Sequence, residues 1–152
     1  MSVDQRLKDL GITLPEPVAP VANYVPAVHA GQLLSISGQI PKTAEGGLIT
    51  GTLGADMDLA QGQAAARECA INILAQIKAT LGDLERVERI IKLGGFVCCV
   101  SGFKDQPQVI NGASDLMVEV FGERGRHSRS AVGVNALPLG VAVEVDALVA
   151  VR

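Results

Sequence analysis

From Val141 to Val151 the chain alternates without a break. Val141, Val143, Val145, Ala147, Val149 and Val151 fall on one side of an extended strand, and Ala142, Glu144, Asp146, Leu148 and Ala150 on the other. A one-residue slip would carry the whole aliphatic set to the wrong face, so this pattern demands a sheet with one covered face and one face able to hold charges. The covering core must be aliphatic. The 152 residues are 48% hydrophobic but only 3% aromatic, with no Trp and one Tyr, which leaves Val, Ile, Leu and Ala to fill it. A chain of this length suits one domain around one core, residues 1–152, with residues 1–22 as an N-terminal extension packed on or strapped across it.

The helices announce themselves by spacing. In Asp58–Leu81, apolar Leu59, Ala66, Ala70, Ile73, Ile77 and Leu81 recur with helical period and Gly82 follows as a stop; Gln63, Arg67, Asn72, Gln76 and Lys78 make the other, polar face. A second helix is expected from about Pro107, a first-turn residue, to Phe121, with Ile110, Ala113, Met117, Val120 and Phe121 along one side. Residues 2–10 suit a short helix, and the Pro-rich Leu14–Ala22 an extended surface strap. Strands are expected on either side of a turn at Ala30-Gly31, in Val87–Val100 with a bulge or kink at Gly94-Gly95, and in the last stretch around Ala136–Gly140. Gly46-Gly47 marks a further turn. Mostly antiparallel strands with two interposed helices argue an α+β domain, the two helices packed on one sheet face.

The last stretch also raises the question of function, because Arg129, Glu144 and Asp146 stand in one of the most apolar parts of the chain. Read as a hairpin that matches Val132 and Val134 to the valines of the last strand, it pairs 132 with 143 and sets Arg129 opposite Asp146 and Ala131 opposite Glu144. Two readings stand side by side. Arg129 and Asp146 form a cross-strand ion pair on a solvated face, contributing roughly 0.2–1 kcal/mol. Alternatively the charges line a pocket, in which the guanidinium holds a carboxylate with its bidentate fork and Glu144 accepts a proton or positions water. Small Ala131 and Gly133 leave room for the ligand.

Other classes of function find little support. A net charge of −3 and the scarcity of aromatics argue against a nucleic-acid track, and the run Glu123–Ser130, with Arg124, Arg126, His127 and Arg129, reads as an exposed polar loop. The polar, amphipathic N-terminus is no signal peptide, and no apolar run is long enough to cross a bilayer, which sets a cytoplasmic expectation. Cys69, Cys98 and Cys99 make neither a disulfide framework nor a zinc pair, so no metal is expected. There is no phosphate loop or dinucleotide fingerprint. His29 and His127 are isolated in sequence, and no Ser-His-Asp triad is expected around Ser37.

Four segments, Ile36–Pro41 (ISGQIP), Arg129–Val134 (RSAVGV), Leu137-Pro138 and Val143–Val149 (VEVDALV), together resemble the reactive-intermediate imine deaminase family, also called Rid or YjgF-like. The order of the segments is the family's, and the resemblance runs from about Asn23 onward. It implies a chorismate-mutase-like fold, a homotrimer with ligand clefts between subunits, and cofactor-free hydrolysis of enamines and imines such as 2-aminoacrylate to 2-keto acids and ammonia. It also implies that Arg129 binds the substrate carboxylate, that Glu144 handles water or protons, and that Ser37, Tyr24 and Asn111 line the pocket. Ala131 stands where the family often has a cysteine, so only its main chain would serve. The N-terminal extension resembles a longer branch of the family. A metabolite-binding trimer without catalysis uses Arg129 equally but has no need of Glu144; a ribonuclease, the name some relatives carry, needs a basic track.

Overall fold

The computed structural model describes residues 1–152. In chain order the elements are α1 (Val3–Asp9), β1 (Ala27–Ala30), β2 (Leu33–Gln39), α2 (Leu59–Leu81), β3 (Val87–Cys98), α3 (Gln106–Phe121), β4 (Ser128–Val134) and β5 (Val143–Val151). The five strands form one sheet in the order β1-β2-β5-β3-β4, antiparallel except for the parallel pair β3–β4. The α+β expectation holds, with a short third helix, α1, beside the two long ones.

Local chemistry explains the two long helices. At the start of α2 the Asp58 carboxylate accepts from the Gln61 amide while the Gln61 side chain accepts from the Asp58 amide, a reciprocal cap that satisfies two orphan donors. Gly82, in the left-handed region at φ 80°, ends the helix. α3 carries Pro107 in its first turn, and Ile110, Ala113, Met117, Val120 and Phe121 are all buried as the spacing predicts. The two helices cross at Gly112, where a Cβ would collide with the Gln63 carbonyl, so only glycine allows this approach. Their common apolar surface meets Val143, Val145, Ala147, Val149 and Val151 of β5, all in the core.

Several expectations are corrected. Leu59 is not core: it is exposed at the start of α2. Asn72 and Gln76 of α2 are buried rather than solvated. Asn72 donates to the carbonyls of Ile40 and Lys42 at 3.0 Å each, and Gln76 donates to the Val18 carbonyl at 2.8 Å, which fastens the extended N-terminal segment to α2. The shifts of register in β3 fall between Val87 and Arg89 and between Ile90 and Lys92, not at Gly94-Gly95. Those glycines are flat strand residues whose missing side chains make room for Asp146 on one face and Ile110 on the other.

The largest correction concerns the last two strands. β4 and β5 do not pair; β3 lies between them, parallel to β4 and antiparallel to β5. The β3–α3–β4 segment is a crossover, which brings β4 in as the edge strand. Leu93 pairs with Arg129 on one side and Ala147 on the other, so Arg129, Ala131 and Gly133 point to the helix face. Phe96 pairs with both Val132 and Glu144, so Val132 shares the outer face with Glu144 and is 46% exposed. The register deduced by matching valine to valine fails because the valines of β4 do not face this chain's core.

Candidate functional site

The predicted site residues fall into two groups on opposite faces of the sheet. The first is built around Glu144. On β5 it alternates with core valines and so points to the outer face. β2 bulges between Ile36 and Gln39 and sets Gly38 beside it, where a Cβ would stand 2.8 Å from the carboxylate carbon. Glu144 and Tyr24 line one cavity with Val18, Val21, Ile40 and Leu139, so its walls are largely apolar. Burial, and then the charge of Asp146, raise the Glu144 pKa above the ordinary carboxylate value. Ser37, next to Gly38, is committed to the chain: its hydroxyl donates to the Val25 carbonyl at 3.0 Å.

The second group is built around Arg129. Its Nη1 donates to Asn111 Oδ1 at 2.8 Å and to Ser114 Oγ at 3.1 Å, and its Nη2 to the Pro107 carbonyl at 3.2 Å. α3 thus orients the guanidinium from one side by three acceptors. Of the five N–H donors, those on Nε and one on Nη2 make no bond within the chain. No carboxylate of the chain pairs with Arg129, and Asp146 lies on the other face beside Gly94, so the expected Arg129–Asp146 ion pair is absent. Asn111 is thereby an orienting partner of Arg129. Ala131 follows on the same face of the edge strand, packed against the core.

The run Glu123–Ser130 is more structured than its composition suggests. Arg124 donates to the Val87 carbonyl at 2.7 Å and pairs with Glu85 at 3.3 Å. Arg126 pairs with Glu123 at 3.2 Å. His127, expected to be isolated, is half-buried and bonded to Ser114, with Nε2 and Oγ 2.9 Å apart. A pocket beside α3 is lined by Ser114, Asp115, Val118, Arg126, His127 and Arg129. Ser114 and His127 were invisible as a pair because they stand 13 positions apart, Ser114 inside α3 and His127 in the connection before β4. Nothing in a linear pattern of this kind announces the contact.

Comparison with known proteins adds four relationships. Residues 4–150 match the sequence model of a family described as "YjgF/chorismate_mutase-like, putative endoribonuclease". Protein TCP17 of Trypanosoma cruzi is 54% identical over 148 residues, covering 97% of this chain and 92% of that protein. The crystal structure of Atu1372 from Agrobacterium tumefaciens, described as of unknown function, is 51% identical, with a TM-score of 0.91 over 99% of this chain and 94% of that one. The crystal structure of E. coli TdcF with bound serine is 26% identical, with a TM-score of 0.65 over 93% of this chain and 96% of that one.

Proposed function

Because the chain belongs to the YjgF/chorismate mutase-like family, we propose that it hydrolyses small carboxylated imines and enamines to 2-keto acids and ammonia, in clefts between the subunits of a homotrimer. The observation that carries this reading is the division of the site. Arg129 presents two unused donors on one face and Glu144 lines a cavity on the other, with β3 between their strands and the sheet between their side chains. A second copy, bringing its β4 edge to the outer face of the first, unites them. That TdcF was crystallised with serine, a small amino acid, supports a carboxylated ligand.

In the joined site the Arg129 fork holds the substrate carboxylate, with charge-assisted bonds that also fix the neighbouring imine carbon. Glu144, held nearer its neutral form by burial, exchanges protons with the imine nitrogen and helps place water. A protonated imine is already electrophilic, so no cofactor is needed. Tyr24 lines the Glu144 side, Ser37 braces its rim through Val25, Asn111 aims the arginine, and Ala131 offers main chain along the β4 edge. The N-terminal segment 1–22 acts as part of the single domain, with Val18 and Val21 forming one wall of the cavity. The ribonuclease reading is disfavoured because Arg124 and Arg126 are engaged in contacts within the chain.

The test is keto-acid release from imines generated by an amino-acid oxidase or dehydratase, timed with and without the protein, alongside calorimetric binding of pyruvate. Glu144→Gln is expected to retain pyruvate binding and to lose turnover by about 10²–10⁴-fold. Pyruvate binding with no acceleration by the wild type across the panel would favour a metabolite-binding trimer instead.

A further inference from the structure

We propose that Ser114 and His127 are a proton-relay pair of the Arg129 half-site, which removes a proton from the attacking water and returns it to the departing ammonia. The inference rests on the hydrolytic reading above. It starts from four groups in a line. His127 Nδ1 lies 2.6 Å from the Gly125 carbonyl, which can only accept, so Nδ1 carries the proton. Nε2, 2.9 Å from Ser114 Oγ, is then the acceptor of the neutral ring, and the Ser114 hydroxyl donates to it. Ser114 Oγ in turn accepts from Arg129 Nη1 at 3.1 Å. With the ring neutral, every bond in the line has one direction. The arrangement of hydroxyl, base and a third group that orients the base is the one that activates an O–H for proton transfer.

Position makes the pair useful. In a 2-imino acid the reacting carbon is bonded directly to the carboxylate carbon. Ser114, the outer member of the pair, bonds the guanidinium that holds the carboxylate and carries the base one hydrogen bond behind it, so the pair lies beside the bound acid. Ser114, His127 and Arg129 line the same pocket, with Arg126 and Asp115 as its other charged groups; Arg89 of β3 reaches the Arg126 carbonyl from behind. Burial, and after it the Arg129 charge, hold His127 below the ordinary histidine range, against the pull of the Gly125 carbonyl. The ring is thus neutral, and able to accept, at neutral pH.

The chemistry balances without a further reagent. Water oxygen bonds to the carbon of the protonated imine, and the C=N π pair moves to nitrogen. A proton passes from that oxygen to Ser114 Oγ as the Ser114 proton moves to His127 Nε2. The relay then returns a proton to nitrogen, the hydroxyl oxygen forms the carbonyl, and the C–N bond breaks. The last hydroxyl proton leaves with ammonia, so iminium and water give keto acid and ammonium.

The experiment measures kcat and KM for imine hydrolysis against pH in wild type, His127→Gln and Ser114→Ala, with pyruvate affinity measured by calorimetry. Both variants are expected to lose at least about tenfold in kcat while pyruvate affinity changes less than about threefold. The wild-type kcat is expected to fall as acid protonates His127, and that limb is expected to vanish in His127→Gln. The chain has two histidines, so ring NMR with His127→Gln as the assignment control also follows the titration, which pyruvate is expected to move for His127 and not for His29. Wild-type kcat and pH profile in His127→Gln would overturn the relay alone. Absence of hydrolysis by the wild type would overturn the function proposed above, and the relay with it.

Discussion

At Glu144 the fold leaves no slack on the β2 side. A Cβ on Gly38 would stand 2.8 Å from its carboxylate carbon and 3.0 Å from Oε1. Gly38→Ala must therefore push the carboxylate without touching the core valines behind it. Misplacing a catalytic group by about 1 Å costs on the order of 10²-fold, so turnover in Gly38→Ala is expected to fall by more than about tenfold, with the thermal midpoint nearly unchanged. Keto-acid assays and thermal unfolding of the same preparation check this; wild-type turnover would mean that the carboxylate's position is unimportant. At this scale the sequence was a partial guide. Glu144 on the face away from the valines could be read from alternation alone. Arg129 could not, since its direction depends on β4 pairing with β3 and on three acceptors that α3 supplies.

At the scale of elements, α2 and α3 were legible because the helical period over many residues agrees with a terminal signal, Gly82 after α2 and Pro107 in the first turn of α3. The β3–β4 pairing was not, because it is parallel and spans a whole helix, and because valines on an edge strand invite the wrong partner. α1 provides a prediction of its own. Its Val3 and Leu7 are buried, and the Val3 amide donates to Glu85 Oε1 at 2.6 Å while Arg124 holds Oε2 at 3.3 Å. The Val3 amide, ahead of the Arg124 charge, lowers the Glu85 pKa. The folded-state value is therefore below the unfolded one. The stabilisation is complete above the unfolded carboxylate range and is lost as pH falls through the folded-state pKa. The Glu85 side chain is 42% exposed. Solvent screening limits the contribution to roughly 0.2–1 kcal/mol. Hydrogen exchange of the α1 amides is expected to be faster in Glu85→Gln at neutral pH and to match wild type in acid. A constant difference at all pH values would assign the effect to packing rather than to the carboxylate.

For the whole molecule the notable feature is an outer sheet face that one chain does not cover. Val28, Leu33 and Val132 are each about half exposed there (53%, 47% and 46%), and Val25 and Leu139 are more so beside the Glu144 cavity, at 59% and 60%. A second copy covering this face would bury those side chains and bring an Arg129 fork to each Glu144. In the proposed trimer, as in any closed ring, every copy would have one such contact on each side. A stable monomer in sedimentation at micromolar concentration would leave the two half-sites unjoined. The sequence hinted at this through apolar Leu148 and Ala150 on the carboxylate face, but a residue to be covered by another chain carries no mark that separates it from an ordinary exposed one.

Complementation tests the joined site most directly. Arg129→Ala and Glu144→Gln are prepared separately, each expected to be nearly inactive, then unfolded, mixed in equal amounts and refolded together. If each site takes Arg129 from one subunit and Glu144 from its neighbour, random assembly restores about a quarter of the sites in a symmetric ring, and keto-acid release should recover to about that fraction of wild type. Recovery absent from refolded mixtures that are shown to contain both variants in one oligomer would contradict the account, because it would mean that both residues must come from the same chain.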